Sequence, residues 1–467
     1  MSDELWRRSA LELAAAIAAK EVSSTEVVAA HLERIGAVNA GLNAVTRVLA
    51  DEAMDAAVGA DRKVAAGEPL GRFHGVPFTI KENIDVAGSP TTQGLPAFAE
   101  LVAPVDAPVV ERMRRAGAVP LARTNLPDMG LRVHTDSFLH GPTRNPWDAS
   151  RTPGGSSGGE AVALATGMSP MGLGNDIGGS LRNPAYCNGV ASLKPTSHRI
   201  PEASSTSPAE PFLAAQLMAV EGPMARRVAD VRAMYEVLAG PDPRDPFCVP
   251  APLYGPPLGG PVRVALVPEP PGGSTAPTVA AGVRAAGDAL ADAGYDVVEA
   301  TPPQVEEAID TWARWLIAEI GVLKPLLAMI MSPDAMSFLT VAEAEYGGAD
   351  GAAMLQLLMK RHEIARAWSL FAQEHPLVVG PTWTQPPFRV GLDLEGRDGA
   401  LAVLELIRFV TPMNLLGLPA VCVPTGVAEG LPLGVQVVAA RFQEGLCFDA
   451  AEAIEARLGS ITPIDPR

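Results

Sequence analysis

Two serines, Ser156 and Ser180, stand in separate glycine-dense turns, Gly154-Gly155-Ser156-Ser157-Gly158-Gly159 and Gly174-Asn175-Asp176-Ile177-Gly178-Gly179-Ser180. Runs such as Gly178-Gly179 leave backbone N–H groups uncovered by side chains, free to turn toward one small anionic atom. The Ser180 hydroxyl stands at the edge of that nest. A nucleophile beside such donors points to acyl transfer, and the open question is what removes the serine's proton.

Composition narrows the alternatives. With 467 residues, 48% of them hydrophobic, the chain can bury a large core. A formal net charge of −17 argues against a nucleic-acid partner, because phosphate contacts need clustered Lys and Arg. Cys187, Cys248, Cys422 and Cys447 are widely spaced and form no C-x-x-C pair, so neither a disulfide framework nor a metal site is expected. Those cysteines suit a reducing cytoplasm, the expected location. Met1-Ser2-Asp3-Glu4-Leu5-Trp6-Arg7-Arg8 opens no signal peptide, and no apolar span long enough for a membrane follows.

Strand and helix signals alternate along the chain. Ser9-Ala10-Leu11-Glu12 and Ser23-Ser24-Thr25-Glu26 read as capping boxes, and residues 50–67 as an alanine-rich helix. Strands are expected at 76–81 and 119–124, with a helix from Pro108 to Ala116 between them. Residues 262–267, a helix over about 277–293 and residues 297–299 form a strand–helix–strand unit of parallel type. Further apolar runs lie at 377–380, 420–423 and 434–438. The expectation is one α/β domain over 1–467. It has a helical start (1–67), a core (68–240), a proline-rich connection (241–261) and a second lobe of the same sheet (262–467).

Three readings fit the glycine-rich serines. A phosphate loop is disfavoured because G-x-x-x-x-G-K-[ST] is missing, and Gly172-Leu173-Gly174 is spaced wrongly for a dinucleotide fingerprint. A nucleophile elbow at Gly155-Ser156-Ser157-Gly158-Gly159 needs an apolar strand directly before it, which residues 141–148 do not supply. In the third reading Ser180 attacks, Ser156 relays the proton, and Lys81 at the end of a buried strand is the base. A lysine serves this way only when neutral, and burial among Phe78, Ile80 and Ile84 favours the neutral form. Alone, a lysine at a strand end is more often a solvated edge charge.

These residues carry a resemblance. Residues 141–196, with Gly154–Glu160, Asn175–Ala185 and Leu193-Lys194-Pro195-Thr196, resemble the signature region of the amidase signature family. Gly75–Asn83, Ala122–Pro127, Gly222–Arg226, Asn414–Ala420 and Gly430–Gln436 extend the likeness over nearly the whole chain. The resemblance implies an α/β/α sandwich around one large mixed, twisted sheet and no cofactor or metal. It assigns Ser180 as nucleophile, Ser156 with a cis peptide bond as relay, and Lys81 as base. The N–H groups of Ile177, Gly178, Gly179 and Ser180 would form the oxyanion hole. Gly155, Met129 and Arg199 are the expected substrate contacts, although Arg199 equally suits a surface loop.

Ser157 and Asp176 are expected to be structural, Ser157 capping the helix that starts near Gly158 and Asp176 bonding the nest, with Arg182 bonding nearby carboxylates. His134 and His140 are candidate pocket residues. Trp312, Trp315, Leu326–Met331 and Met336–Leu339 are candidate helices over the site, implying an apolar acyl or leaving group. The expected function is hydrolysis of aryl or medium-size apolar amides and carbamates (urethanes), with esters as a side activity. A small-molecule substrate is the only expected partner, and a homodimer is the generic expectation. The alternative is the glutaminase subunit of a tRNA-dependent amidotransferase. Against it, Leu217-Met218-Ala219 replaces the polar S-x-D found in relatives that handle glutamine.

Overall fold

β-Branched runs become strands, and both capping boxes form as their spacing requires. In the computed structural model, which describes residues 4–207, 209–255 and 259–467, Ser9 Oγ accepts from the Glu12 N–H while Glu12 answers on the Ser9 N–H. Ser23 and Glu26 repeat the arrangement at the start of helix Ser24–Leu42. Residues 1–3, and residues 256–258 of the proline-rich connection, lie outside the described residues.

One sheet of eleven strands organises the described residues: β1 (Val45–Val48), β2 (Pro77–Lys81), β3 (Val119–Thr124), β4 (Met171–Asp176), β5 (Ala191–Lys194), β6 (Val220–Ala225), β7 (Arg263–Leu266), β8 (Asp296–Glu299), β9 (Leu377–Pro381), β10 (Ala420–Ala428) and β11 (Leu431–Ala439). Their spatial order is β1-β3-β2-β4-β6-β5-β10-β11-β9-β7-β8. The sheet is mixed: β2 runs parallel to β3 and β4, and β7 parallel to β8 and β9, while the central pairings are antiparallel. Fifteen α-helices flank it among the described residues, giving the expected fold class.

Alternation along the strands builds a core on each face. Val264 and Leu266 pack toward helices Pro277–Asp292 and Glu444–Leu458, whereas Ala265 and Val267 join the core beneath Val305–Leu327 and Gly351–Glu374. A slip of one residue would exchange the two sets, so both cores together fix the register. Strands from either side of the proline-rich connection meet where β5 pairs with β10, Lys194 opposite Ala420. No helix of the described residues is long and apolar enough to cross a membrane.

The two serine turns and the lysine meet at the C-terminal ends of the parallel strands β2 and β4. Lys81 is the last residue of β2, and β4, its neighbour, ends at Asp176 just before Ile177-Gly178-Gly179-Ser180. The Ser156 turn leads into helix Gly158–Ala165, whose start packs against Asn125 and Thr135. A Cβ on Gly159 would sit 2.5 Å from the Asn125 nitrogen, and one on Gly158 2.2 Å from Thr135 Oγ1. Glycine is therefore required there by close approach.

Candidate active site

Lys81 is fully buried, and its ammonium nitrogen donates to Ser156 Oγ at 2.7 Å and to Asn175 Oδ1 at 2.6 Å. Burial pushes this lysine down to about 7, against the opposing pull of the Asp176, Glu160 and Glu221 carboxylates. A substantial fraction is thus neutral near physiological pH and able to accept a proton. Glu160, buried and bonded to the Thr79 and Thr124 hydroxyls, is itself pushed up to about 7 by burial.

The peptide bond between Gly155 and Ser156 is cis. Gly155 lies against the Arg132 carbonyl, where an added Cβ would be only 2.7 Å away. Ser180 is 8% exposed and lines a cavity together with Gly155, Ile177 and Gly178. The link between Lys81 and Ser156 is a closed hydrogen bond. The link between Ser156 and Ser180 is not bridged by one among the described residues. Catalytic hydrogen bonds commonly tighten only when substrate is bound.

Asp176 shapes the nest. Its carboxylate accepts from the Gly179 N–H at 2.7 Å, the Leu181 N–H at 3.2 Å, Arg182 Nε and Nη2 at 3.1 Å, and Asn414 Nδ2 at 2.9 Å. Burial alone would raise this carboxyl, but Arg182, Lys194 and Asn414 outweigh it and hold it at about 2. Gly179 consequently leaves the expected set of oxyanion donors, since its N–H already points at Asp176. Those of Ile177, Gly178 and Ser180 have no acceptor among the described residues and remain available.

Two residues that sequence reasoning passed over hold the turns together. Asn183 donates to the Gly178 carbonyl at 3.2 Å and to the Gly155 carbonyl at 3.4 Å, and its own oxygen accepts from Trp383 Nε1 at 2.9 Å. Asn175 bridges Lys81 to the neighbouring strand β6. Both lie inside the quoted motif segments, yet only the folded contacts reveal their partners.

Other expectations are corrected. Arg199 is neither at the substrate entrance nor on a surface loop. It is fully buried, donating to the Tyr235 hydroxyl at 2.8 Å and to the Ala251 and Pro252 carbonyls at 2.6 Å, where it anchors the proline-rich connection. Met129 is partly buried and packs in the core beside the site, while its neighbours Gly130 and Leu131 line the cavity. Ser157 makes no side-chain cap; the Gly158 N–H donates instead to Thr135 Oγ1 at 3.1 Å. His134 contacts Thr152 Oγ1 at 3.0 Å and His140 contacts Glu82 at 2.9 Å, and neither lines the cavity.

The cavity's far wall is apolar. Trp312, Leu316, Ile317 and Ile320 come from helix Val305–Leu327, and Phe338, Leu339, Ala342 and Tyr346 from helix Pro333–Tyr346. Trp315 packs in the core instead, and Leu326 and Met329 are 58% and 79% exposed. Trp312 Nε1 donates to the Ile177 carbonyl at 2.9 Å, tying this cover directly to the nest. Free space within is about 70 Å³.

A Cβ on Gly178 would lie 2.5 Å from Trp312 Cζ2. Gly178→Ala is therefore expected to push Trp312 or the nest out of place and lower kcat by about 10²-fold, the loss typical of one misplaced oxyanion donor. Steady-state kinetics beside circular dichroism checks this; unchanged kcat in a folded variant would remove the nest from the mechanism.

Comparison with known proteins gives the family. The Amidase family model matches residues 26–448. The chain is 44% identical to the indoleacetamide hydrolase of Bradyrhizobium diazoefficiens, over 97% of this chain and 87% of that one. It is 34% identical to a glutamyl-tRNA(Gln) amidotransferase subunit from Salinispora arenicola, over 98% and 99%. The solved structure of 6-aminohexanoate cyclic dimer hydrolase complexed with substrate superposes with a TM-score of 0.84 at 31% identity, covering 99% of this chain and 100% of that one. With these likenesses spanning nearly its full length, the chain belongs to the amidase signature family of amide hydrolases, acting on C–N bonds outside peptides.

Proposed function

We propose that the chain hydrolyses primary amides of apolar, aromatic-type acyl groups through an acyl-enzyme on Ser180. Neutral Lys81 draws a proton from Ser180 by way of Ser156, and the freed oxygen attacks the carbonyl carbon. The N–H groups of Ile177, Gly178 and Ser180 stabilise the oxyanion. As the C–N bond breaks, the same pair returns the proton to the leaving nitrogen. Water then adds to the acyl carbon, losing its proton to the pair, and releases the acid. Carbamates and esters undergo the same attack and fall within the proposed range.

The observation that carries this reading is the apolar cover over Ser180. Arg132 is the one charged residue lining the cavity among the described residues, and Asp393 holds it at 2.7 and 2.9 Å. An amino acid such as glutamine would find no free charge for its ammonium or carboxylate. Ligand pockets usually hold about 300–1,000 Å³. An aryl amide therefore needs more room than the free space holds, so its entry displaces side chains of the apolar lining.

The test is a matched panel of an arylacetamide, its ester, a carbamate and free glutamine. The arylacetamide should exceed glutamine in kcat/KM by about 100-fold or more, the scale of discrimination that pocket contacts provide. Robust glutamine hydrolysis without arylacetamide or carbamate turnover would establish the amidotransferase reading instead.

A further inference from the structure

Asn175 faces two ways. Its Oδ1 receives Lys81, and the same residue lines a second cavity of about 1030 Å³ that shares no lining residue with the one at Ser180. The second cavity is walled by acidic and amide side chains. Across the strand pair from Asn175 stands Glu221, only 5% exposed. Its carboxylate makes no hydrogen bond among the described residues, and Oε2 is wholly buried without a partner. Asn83 Oδ1, from another residue lining the cavity, is likewise buried and unpartnered. The Glu202 carboxylate faces the same space with no hydrogen-bond partner among the described residues.

The other buried or half-buried acids nearby are occupied, while Glu210 lines the cavity from an exposed position. Asp85 accepts from Thr91, Ser204, Ser205 and Thr206, and Asp245 accepts from the Glu202 and Phe247 N–H groups. Arg244, which also lines the cavity, is held by Asp242 and Glu111. Three groups with unpartnered acceptor oxygens therefore line one cavity. Burial and the neighbouring Glu202 push the Glu221 carboxyl well above the usual carboxylate range against the pull of Lys81, so a further cation bound beside it would favour its charged form. Among the described residues no group of three or more His, Cys, Asp or Glu is placed to hold a metal ion. Acceptors of this kind call for a compact cation that brings its own N–H donors.

We propose that this cavity binds ammonium and small primary ammonium cations, with Glu221 as the principal ligand and Asn83 and Glu202 completing the set. The assignment rests on the amide-hydrolase reading for the source of the cation. When a primary amide is cleaved, the C–N bond breaks, the nitrogen leaves as ammonia carrying the proton returned by the Lys81–Ser156 pair, and it takes a second proton from water. The acidic cavity lies beyond Asn175, one hydrogen bond from the lysine that delivers the first of those protons. It is a retention site for the leaving group in a cavity that shares no lining with the acyl pocket.

Substrate-free protein titrated calorimetrically with the chlorides of ammonium, methylammonium, potassium and tetramethylammonium, at matched ionic strength, tests the site directly. Ammonium and methylammonium should bind and raise Tm, while tetramethylammonium, which has no N–H, should do neither. Glu221→Gln should weaken ammonium binding by about tenfold or more, the effect of removing a charged hydrogen-bond partner. Should that variant fail to fold, Glu202→Gln, at an exposed position, should weaken the same binding by a smaller factor. Equal responses to all four salts, potassium binding as tightly as ammonium, or wild-type affinity in a folded variant would each overturn the proposal. Because no substrate is present, such a failure is distinct from failure of the amide-hydrolase reading, which the substrate panel reports.

Discussion

Ser180→Ala is expected to lower kcat/KM by about 10⁴-fold or more, with Tm shifted by no more than a few degrees. The asymmetry follows from the site. The Ser180 hydroxyl makes no hydrogen bond among the described residues, so deleting it strands no partner and opens almost no space in the core. The nest survives, because Asp176, Arg182 and Asn183 hold it through groups that do not involve that hydroxyl. A fluorophosphonate probe should label Ser180, as read by peptide mass spectrometry, and leave the alanine variant unlabelled. Labelling of Ser157 would restore the nucleophile elbow that the chain sequence disfavours. The structure gives that outcome little room, since Ser157 is fully buried with its hydroxyl turned to the Asn175 carbonyl.

How much of this was legible in the sequence depends on the residue type. Strands β2, β3, β7, β8 and β9 announce themselves as short apolar or β-branched runs, and β10 and β11 do so in part, extending further than those runs into one long hairpin. The strand that carries the nest, β4, gives no such signal because two of its six residues are glycine. Those glycines answer to packing instead of strand propensity. A Cβ on Gly172 would fall 1.7 Å from Glu160 Oε1, and one on Gly174 2.8 Å from Ser157 Oγ. The same requirement that seats helix Gly158–Ala165 against the sheet thus hides the strand from view. Donors and acceptors far apart in sequence were invisible for a different reason. Arg182 reaches Gln436 and Asn414, and Arg199 reaches Ala251, through contacts that no local pattern encodes. The chemistry of the two serine turns could be inferred from their residue types; which N–H groups remain free could not, because that depends on where the Asp176 carboxylate points.

Lys81 sets the second large effect, and its sign can be worked out. Burial depresses the lysine to about 7, and the base must be neutral, so kcat/KM should rise with pH through a step near that value and level off above it. One pH unit below the step, about a tenth of the plateau activity should remain. Lys81→Ala should cost about 10³-fold or more and abolish the step, whereas a surface lysine would change neither. Lys81→Arg separates charge from basicity: a guanidinium keeps the positive charge but does not surrender its proton, so that variant should be as inactive as the alanine one. Glu160, Asp176 and Glu221 are the carboxylates that raise Lys81 against its burial. Neutralising one of them by Glu160→Gln should therefore move the step to lower pH, because the ammonium form loses a favourable neighbour. A pH–rate profile that keeps its midpoint in Glu160→Gln would assign the step to another group and detach Lys81 from the role of base.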